Sequence, residues 1–192
     1  MKKNILLVGI LILGTMGAGC ATTSVSSDYD RSADFSKLKT FGWAVDPKPT
    51  GDIRFDDPDL REAIKNSVEA ELQAKGLQKA ASGQPDLLLK YYITTEKKSQ
   101  FVGGNPPTFN SRGVWSGATG ATPYGGLETM TLHYEEGTFV LDMLDPRSGG
   151  ILWRGTLEGM VDPSGTPAKR IARTPVAIAK VLKNFPPGKE SK

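Results

Sequence analysis

Apolar and polar positions alternate with two different periods along the chain, and each change of period marks an element. Leu60, Ile64, Val68 and Leu72 recur every four residues, with Ala63 and Ala70 widening the stripe, which is the pattern of a helix that buries one face. The ends of this segment carry matching chemistry. Asp57 suits the N-cap, Pro58 the first helical position and Asp59 the positive end of the helix dipole. Lys75 stands in the last turn, Gly76 follows as a C-terminal cap, and Leu77 is placed to fold back on the helix. The spacing predicts a helix from Pro58 to Lys75 that packs on a sheet.

A period of two governs most of the remainder. Phe41, Trp43 and Val45 alternate with polar or small residues between Lys37 and Val45, which predicts a strand with one buried face. Asp86 to Lys98 reads as a long strand, with Leu87, Leu89, Tyr91 and Ile93 on one face and Leu88, Lys90, Tyr92 and Thr94 on the other. Leu127 to Glu135 and Thr138 to Leu144 are predicted strands joined by a tight turn at Glu135-Glu136-Gly137. Asp145 to Gly150 forms a second turn leading into a strand from Ile151 to Val161. Ile171, Ile178, Leu182 and Phe185 return to helical spacing between Ala168 and Phe185. Pro175 inside that segment predicts a kink or a fresh start capped by Thr174. Residues 46–56, rich in Pro, Gly and Asp, read as a loop. The order of elements predicts an α+β fold: a mostly antiparallel β-sheet with two α-helices packed on one face.

Residues 103–126 fit neither period. Seven of these 24 residues are Gly, three are Pro and seven are Ser, Thr or Asn, with Phe109, Trp115 and Tyr124 spaced among them. Such a stretch cannot bury enough surface to order itself, and long loops of this kind serve binding or remain unstructured. Aromatic residues on a polar segment suit contact with a partner or a membrane interface, which makes Phe109, Trp115 and Tyr124 the partner-binding candidates.

The first twenty residues have a separate logic. Lys2 and Lys3 precede an apolar run from Ile5 to Leu13, and Gly17, Ala18 and Gly19 lead to Cys20. A charged start, a short apolar core and a small-residue cleavage zone describe a secretory signal, and the run falls short of the roughly 20 residues needed to span a bilayer. Cys20, the only cysteine, stands where the small residues end, as in a bacterial lipoprotein signal, although Gly17 occupies the position that usually carries Leu. That resemblance implies a signal peptide over 1–19, a lipidated N-terminus and tether over 20–27, and one domain over 28–188. It further implies an anchor of several acyl chains on Cys20, stable because each buried methylene contributes about 0.8 kcal/mol. Ala21 rather than Asp follows the cysteine, so the expected location is the outer membrane of a Gram-negative envelope, with the domain facing the periplasm.

Charge and composition sharpen this picture. The 192 residues include 24 basic and 21 acidic side chains, a formal charge of +3. Cleavage after residue 19 removes Lys2 and Lys3 and leaves 22 basic residues against 21 acidic ones, a charge of +1. The basic excess belongs to the targeting signal, and Lys97-Lys98 and Lys169-Arg170 are too sparse for a nucleic-acid surface. One cysteine excludes an internal disulfide and a multi-thiolate zinc site.

Several segments in order resemble the DUF4136 family of bacterial lipoproteins. They are DYDRSADFSKLKTFGW (28–43), LQAKGLQ (72–78) with QPDLLLKYYI (84–93), EEGTFVLDMLDPRSGGILWRG (135–155) and the closing NFPP (184–187). The resemblance covers the predicted mature chain apart from the Gly-rich loop, and it transfers no catalytic residue, since the family has none established.

The remaining chemical candidates favour structure. Asp142 shares a predicted strand face with Val140 and Leu144 and needs a partner such as Arg154 on the adjoining strand, so Asp142 and Arg154 read as a structural ion pair rather than a catalytic one. Asp145 and Arg147 suit a turn. His133, the only histidine, reads as a partly exposed strand residue. Asp52, Asp56, Asp57 and Asp59 lack the ligand spacing of a helix-loop-helix calcium site, and Trp43 and Trp153 fit core positions. No cofactor, metal or nucleic acid is expected. The chain is expected to be a non-enzymatic envelope lipoprotein, an accessory or structural module that meets the membrane through Cys20 and an envelope protein or polymer through residues 103–126. The alternative is a lipid- or glycan-binding lipoprotein with a pocket near Tyr91, Tyr92 and Trp153; a hydrolase using Asp142 or His133 ranks last.

Overall fold

A computed structural model describes residues 23–44, 49–102, 108–109, 115–116 and 130–187. Strand β1 (Ser24–Tyr29) is followed by β2 (Thr40–Trp43), helix α1 (Pro58–Ala74), β3 (Gln78–Lys79) and the long β4 (Leu87–Val102). Two short strands, β5 (Thr108–Phe109) and β6 (Trp115–Ser116), pair as a separate ribbon; β7 (Met130–Leu144), β8 (Ile151–Met160) and α2 (Pro167–Val181) complete the chain. The six-stranded sheet has the order β1-β8-β7-β4-β2-β3. The β1/β8, β8/β7 and β7/β4 pairs are antiparallel, whereas β2 runs parallel to both β3 and β4. That parallel corner follows from α1, which carries the chain from the end of β2 back to the start of β3. The fold is α+β with a mostly antiparallel sheet.

Side-chain alternation along β4 and β7 divides the sheet into two unlike faces. Leu87, Leu89 and Tyr91 of β4, Leu141 and Met143 of β7 and Trp153 of β8 are buried together with Leu60, Ile64, Val68 and Leu72 of α1 and Ile178 and Val181 of α2. α1 ends as its sequence dictates. Gly76 takes φ +91°, and the Leu77 N–H reaches back 3.0 Å to the Leu72 carbonyl, which carries the Leu77 side chain into the core.

Three expectations needed correction. Glu135-Glu136-Gly137 is not a turn: β7 runs unbroken through it and pairs with β4 from Met130↔Val102 to Leu144↔Leu88. A side chain at Gly137 would press against Val161 Cγ2 at 3.1 Å, so glycine serves close packing there rather than chain reversal. Of the kink or fresh start expected at Pro175, the fresh start does not occur: α2 runs from Pro167 to Val181 through the proline. Thr166 caps α2, accepting from the Lys169 N–H at 3.3 Å, and the Thr174 hydroxyl donates to the Arg170 carbonyl at 3.0 Å. Thr174, Ile178 and Val181 are buried on both sides of the proline, so tertiary packing offsets its roughly 3 kcal/mol penalty. The tether expected over 20–27, with a strand foreseen near Val25, gives way from Ser24 to an edge strand paired to β8 from Ser24↔Glu158 to Tyr29↔Trp153.

The sheet face away from the helices carries a row of alternating charge. In register across four strands stand Lys90, Asp142, Arg154 and Asp28. Arg154 grips Asp142 with both ends of its fork, Nε to Oδ1 at 2.6 Å and Nη2 to Oδ2 at 2.8 Å, and the Asp142 carboxylate raises the pKa of the guanidinium. The Asp142 side chain is only 3% exposed, against 44% for Arg154. A second polar clip joins β2 to β4. Asp86 accepts from the Lys39 N–H (2.9 Å), the Thr40 N–H (2.8 Å) and the Thr40 hydroxyl (2.8 Å). The bond from the Lys39 N–H leads those that hold its carboxyl below the ordinary aspartate range.

Three consequences are measurable. Gly155 lies beneath Trp153, and an added Cβ would come within 2.6 Å of Val181 Cγ1; Gly155→Ala should lower stability by about 1–3 kcal/mol in urea unfolding, the cost of overpacking. Arg154→Met strands a buried carboxylate, whereas Asp142→Leu leaves a cation that water can reach, so the arginine variant should show the lower urea midpoint; the reverse order would refute this account. Because the Asp86 pKa is depressed on folding, its contribution is fully present above the unfolded aspartate pKa and is lost as pH falls through the folded value. Below about pH 4, wild type should therefore converge in stability on Asp86→Asn.

Candidate functional site

Most of the sequence candidates have structural partners. Asp145 accepts from the Arg147 N–H at 3.0 Å and the Ser148 hydroxyl at 2.7 Å, closing the β7–β8 turn. In the 49–57 loop, Asp56 accepts from the Thr50 N–H (2.7 Å), the Gly51 N–H (2.9 Å) and Arg61 (3.1 Å). Asp52 holds Arg54, which also reaches Glu135 at 2.6 Å, and Asp57 caps α1 through the Asp59 N–H at 2.9 Å. Hydrogen bonds, first among them those from Arg54 to Asp52 and Glu135 and from Thr50 to Asp56, draw all three carboxyl pKa values down. His133 is exposed on β7, in register with Ser99 of β4. Trp43 donates its indole N–H to Glu69 at 2.8 Å.

The binding candidates fare differently. Phe109 and Trp115 are register partners in the β5/β6 ribbon, while Cys20 and Tyr124 lie outside the described residues. Tyr91, Tyr92 and Trp153, expected to line a pocket between sheet and helices, do not share one face. Tyr91 and Trp153 are packed core residues, and Tyr92 follows Lys90 along the opposite face, with the lysine 4.9 Å from its ring centre.

A cavity of about 280 Å3 opens elsewhere, between the sheet, the first turns of α1 and one side of α2 from Lys169 to Ile178. A pair of glycines belongs to its lining. Gly137 of β7 and Gly159 of β8 stand opposite each other in register on the helix-facing side, one step beyond Phe139 and Leu157. At Gly155 the same absence of a side chain is filled by the Trp153 ring and Val181. At Gly137 the nearest neighbour is Val161 Cγ2 and at Gly159 it is Thr23, and beyond these contacts Phe55, Leu60, Ile64, Ile93 and Ile178 line the cavity with apolar surface.

The mouth has the opposite character. The charged residues lining the cavity are Lys169, Arg170, Arg173 and Asp162, three cations against one carboxylate. All three cations lie in the first two turns of α2, whose first turn has no acidic residue, so they oppose the positive end of the helix dipole. Arg170 Nη1 donates to the Gly165 carbonyl, but its Nε is buried without a hydrogen-bond partner. Asp162 accepts from the Ser164 N–H (2.9 Å) and hydroxyl (2.7 Å), which lower its pKa, and lies 3.8 Å from Arg173. Sequence reading missed this site because Gly137 resembled a turn residue and the α2 cations looked too sparse. The available signal was two glycines on one strand face combined with a basic helix start.

Solved structures place this architecture among known folds. A crystal structure of a PDZ domain protein from Parabacteroides distasonis is 19% identical and matches with a TM-score of 0.53 over 88% of this chain, which spans 37% of that protein. Two dodecamer structures of PelC from Paraburkholderia phytofirmans match at 14% and 13% identity over 84% of this chain, covering 95% and 96% of theirs, with TM-scores of 0.42 and 0.43. The first likeness is one of fold alone. No curated relative matches the sequence. The family profile described as a domain of unknown function, DUF4136, matches residues 25–187, and with nearly the whole folded chain inside that match, the protein belongs to the DUF4136 family.

Proposed function

We propose that this chain is a non-enzymatic binding module of the bacterial envelope, anchored by lipid on Cys20 in the outer membrane with its domain facing the periplasm. The observation that carries the reading is the position of β1. It begins at Ser24, four residues beyond Cys20, so a lipid there holds the sheet edge within about 14 Å of the anchor. The domain then lies against the bilayer rather than at the end of a long arm. The acidic residues of the sequence support binding over catalysis, because Asp142, Asp145 and Asp56 are engaged by arginines, turn backbones and hydroxyls. Contact with an envelope protein or polymer through residues 103–126 forms part of the same proposal, with Phe109 and Trp115 opposite each other in the ribbon.

Metabolic labelling with a palmitate analogue checks the anchor. Wild type should incorporate the label and sediment with outer membranes, and Cys20→Ala should do neither. Equal labelling of the two would refute the assignment.

A further inference from the structure

The cavity floored by Gly137 and Gly159 has apolar walls and a cationic mouth, and these two properties together describe the ligand. We propose that this site binds an anionic amphiphile, with an acyl chain in the cavity and a carboxylate or phosphate at Lys169, Arg170 and Arg173. The inference rests on the pocket alone and stands or falls separately from lipidation of Cys20.

Three observations converge on this ligand class. The first is shape: about 280 Å3 is nearly twice a cavity of roughly 150 Å3 that takes one benzene ring, so it accommodates on the order of ten carbons. Its lining is mostly apolar, led by Phe55, Leu60, Ile64, Phe139 and Leu157, with Thr23, Thr138 and Thr174 among it. The second is charge. Lys169, Arg170 and Arg173 crowd the start of α2, where backbone N–H groups already favour an anion. Asp162, the one carboxylate among the lining residues, is engaged by Ser164 and stands 3.8 Å from Arg173, which leaves a net positive mouth. The third is the buried Nε of Arg170, which lacks a hydrogen-bond partner; an acid group at the mouth would accept from it.

The cavity lies at one end of the domain. Thr23, at the start of the described chain, lines the cavity beside Gly159. Met160, at the end of β8, also lines it and is 53% exposed. The cavity thus lies at the end of the sheet where the described chain begins. A free fatty acid and an anionic phospholipid share the required chemistry, and both are available at a membrane surface.

The test uses the full chain reconstituted in phosphatidylcholine vesicles. One arm adds dodecanoic acid carrying a terminal diazirine, and a second uses phosphatidylglycerol with the diazirine on one acyl chain. Irradiation followed by peptide mapping should place label on the segments containing Phe139, Leu157 and Ile178. A trimethylammonium analogue of equal length should label them at least tenfold less. Across a series of acids, apparent affinity should rise about fourfold per methylene until the cavity is full. Arg173→Gln, an exposed change that spares the core, should weaken labelling by about tenfold, and Gly159→Val, if folded by its thermal transition, should abolish it. Label from the free acid alone or the phospholipid alone supports the site and identifies its source. Label spread evenly over the chain, or equal for the cationic analogue, overturns the proposal.

Discussion

The pairing register of β4, β7 and β8 is the constraint on which the other features depend. β4 and β7 match residue for residue over fifteen pairs, and β8 continues the same ranks from Glu136↔Met160 to Met143↔Trp153. Because side chains alternate across a strand, a slip of one residue would turn Leu89, Leu141 and Trp153 to water and push Lys90, Asp142 and Arg154 under the helices. The apolar contacts penalise that slip from one side. The bidentate Arg154–Asp142 pair penalises it from the other, since a buried carboxylate that loses its partner retains its desolvation cost. The ion pair thus acts as a registry device more than as a net source of stability.

The same register decides what three glycines mean. Gly137, Gly155 and Gly159 all fall on the helix-facing side of β7 and β8, where each leaves room that a side chain would take. At Gly155 the Trp153 ring and Val181 occupy that room, and the result is close-packed core. At Gly137 and Gly159, paired across the two strands, the nearest neighbours are Val161 and Thr23, and both glycines line the cavity. The N-terminal turns of α2 then set Lys169, Arg170 and Arg173 at its opening. The packed interior and the cavity are therefore two outcomes of one motif, set by the side chains that stand over each glycine.

Local signals predicted much of this correctly. The α1 cap at Asp57, the C-terminal glycine at position 76 and the four-residue apolar repeat are each properties of neighbouring residues, and the helix forms within one residue of its expected end. The two faces of β4 were legible because alternation needs no partner to be seen. Reading failed where meaning depended on distant neighbours. Glu135-Glu136-Gly137 carries a turn composition, yet β4 on one side and β8 on the other hold it extended. Pro175 carries a helix-breaking signal, yet burial of Thr174 and Ile178 on either side overrides it.

By itself, then, the sequence determined most of the elements and the apolar face of each, because capping chemistry and hydrophobic periodicity act over a few residues. Only the tertiary structure decided which strands pair, that β2 joins the sheet in parallel, that Arg154 meets Asp142, and where a cavity stays open. Those outcomes depend on which surfaces meet. Glycine has the same local character at 137, 155 and 159, and its consequence there follows from the side chains that the rest of the chain brings alongside.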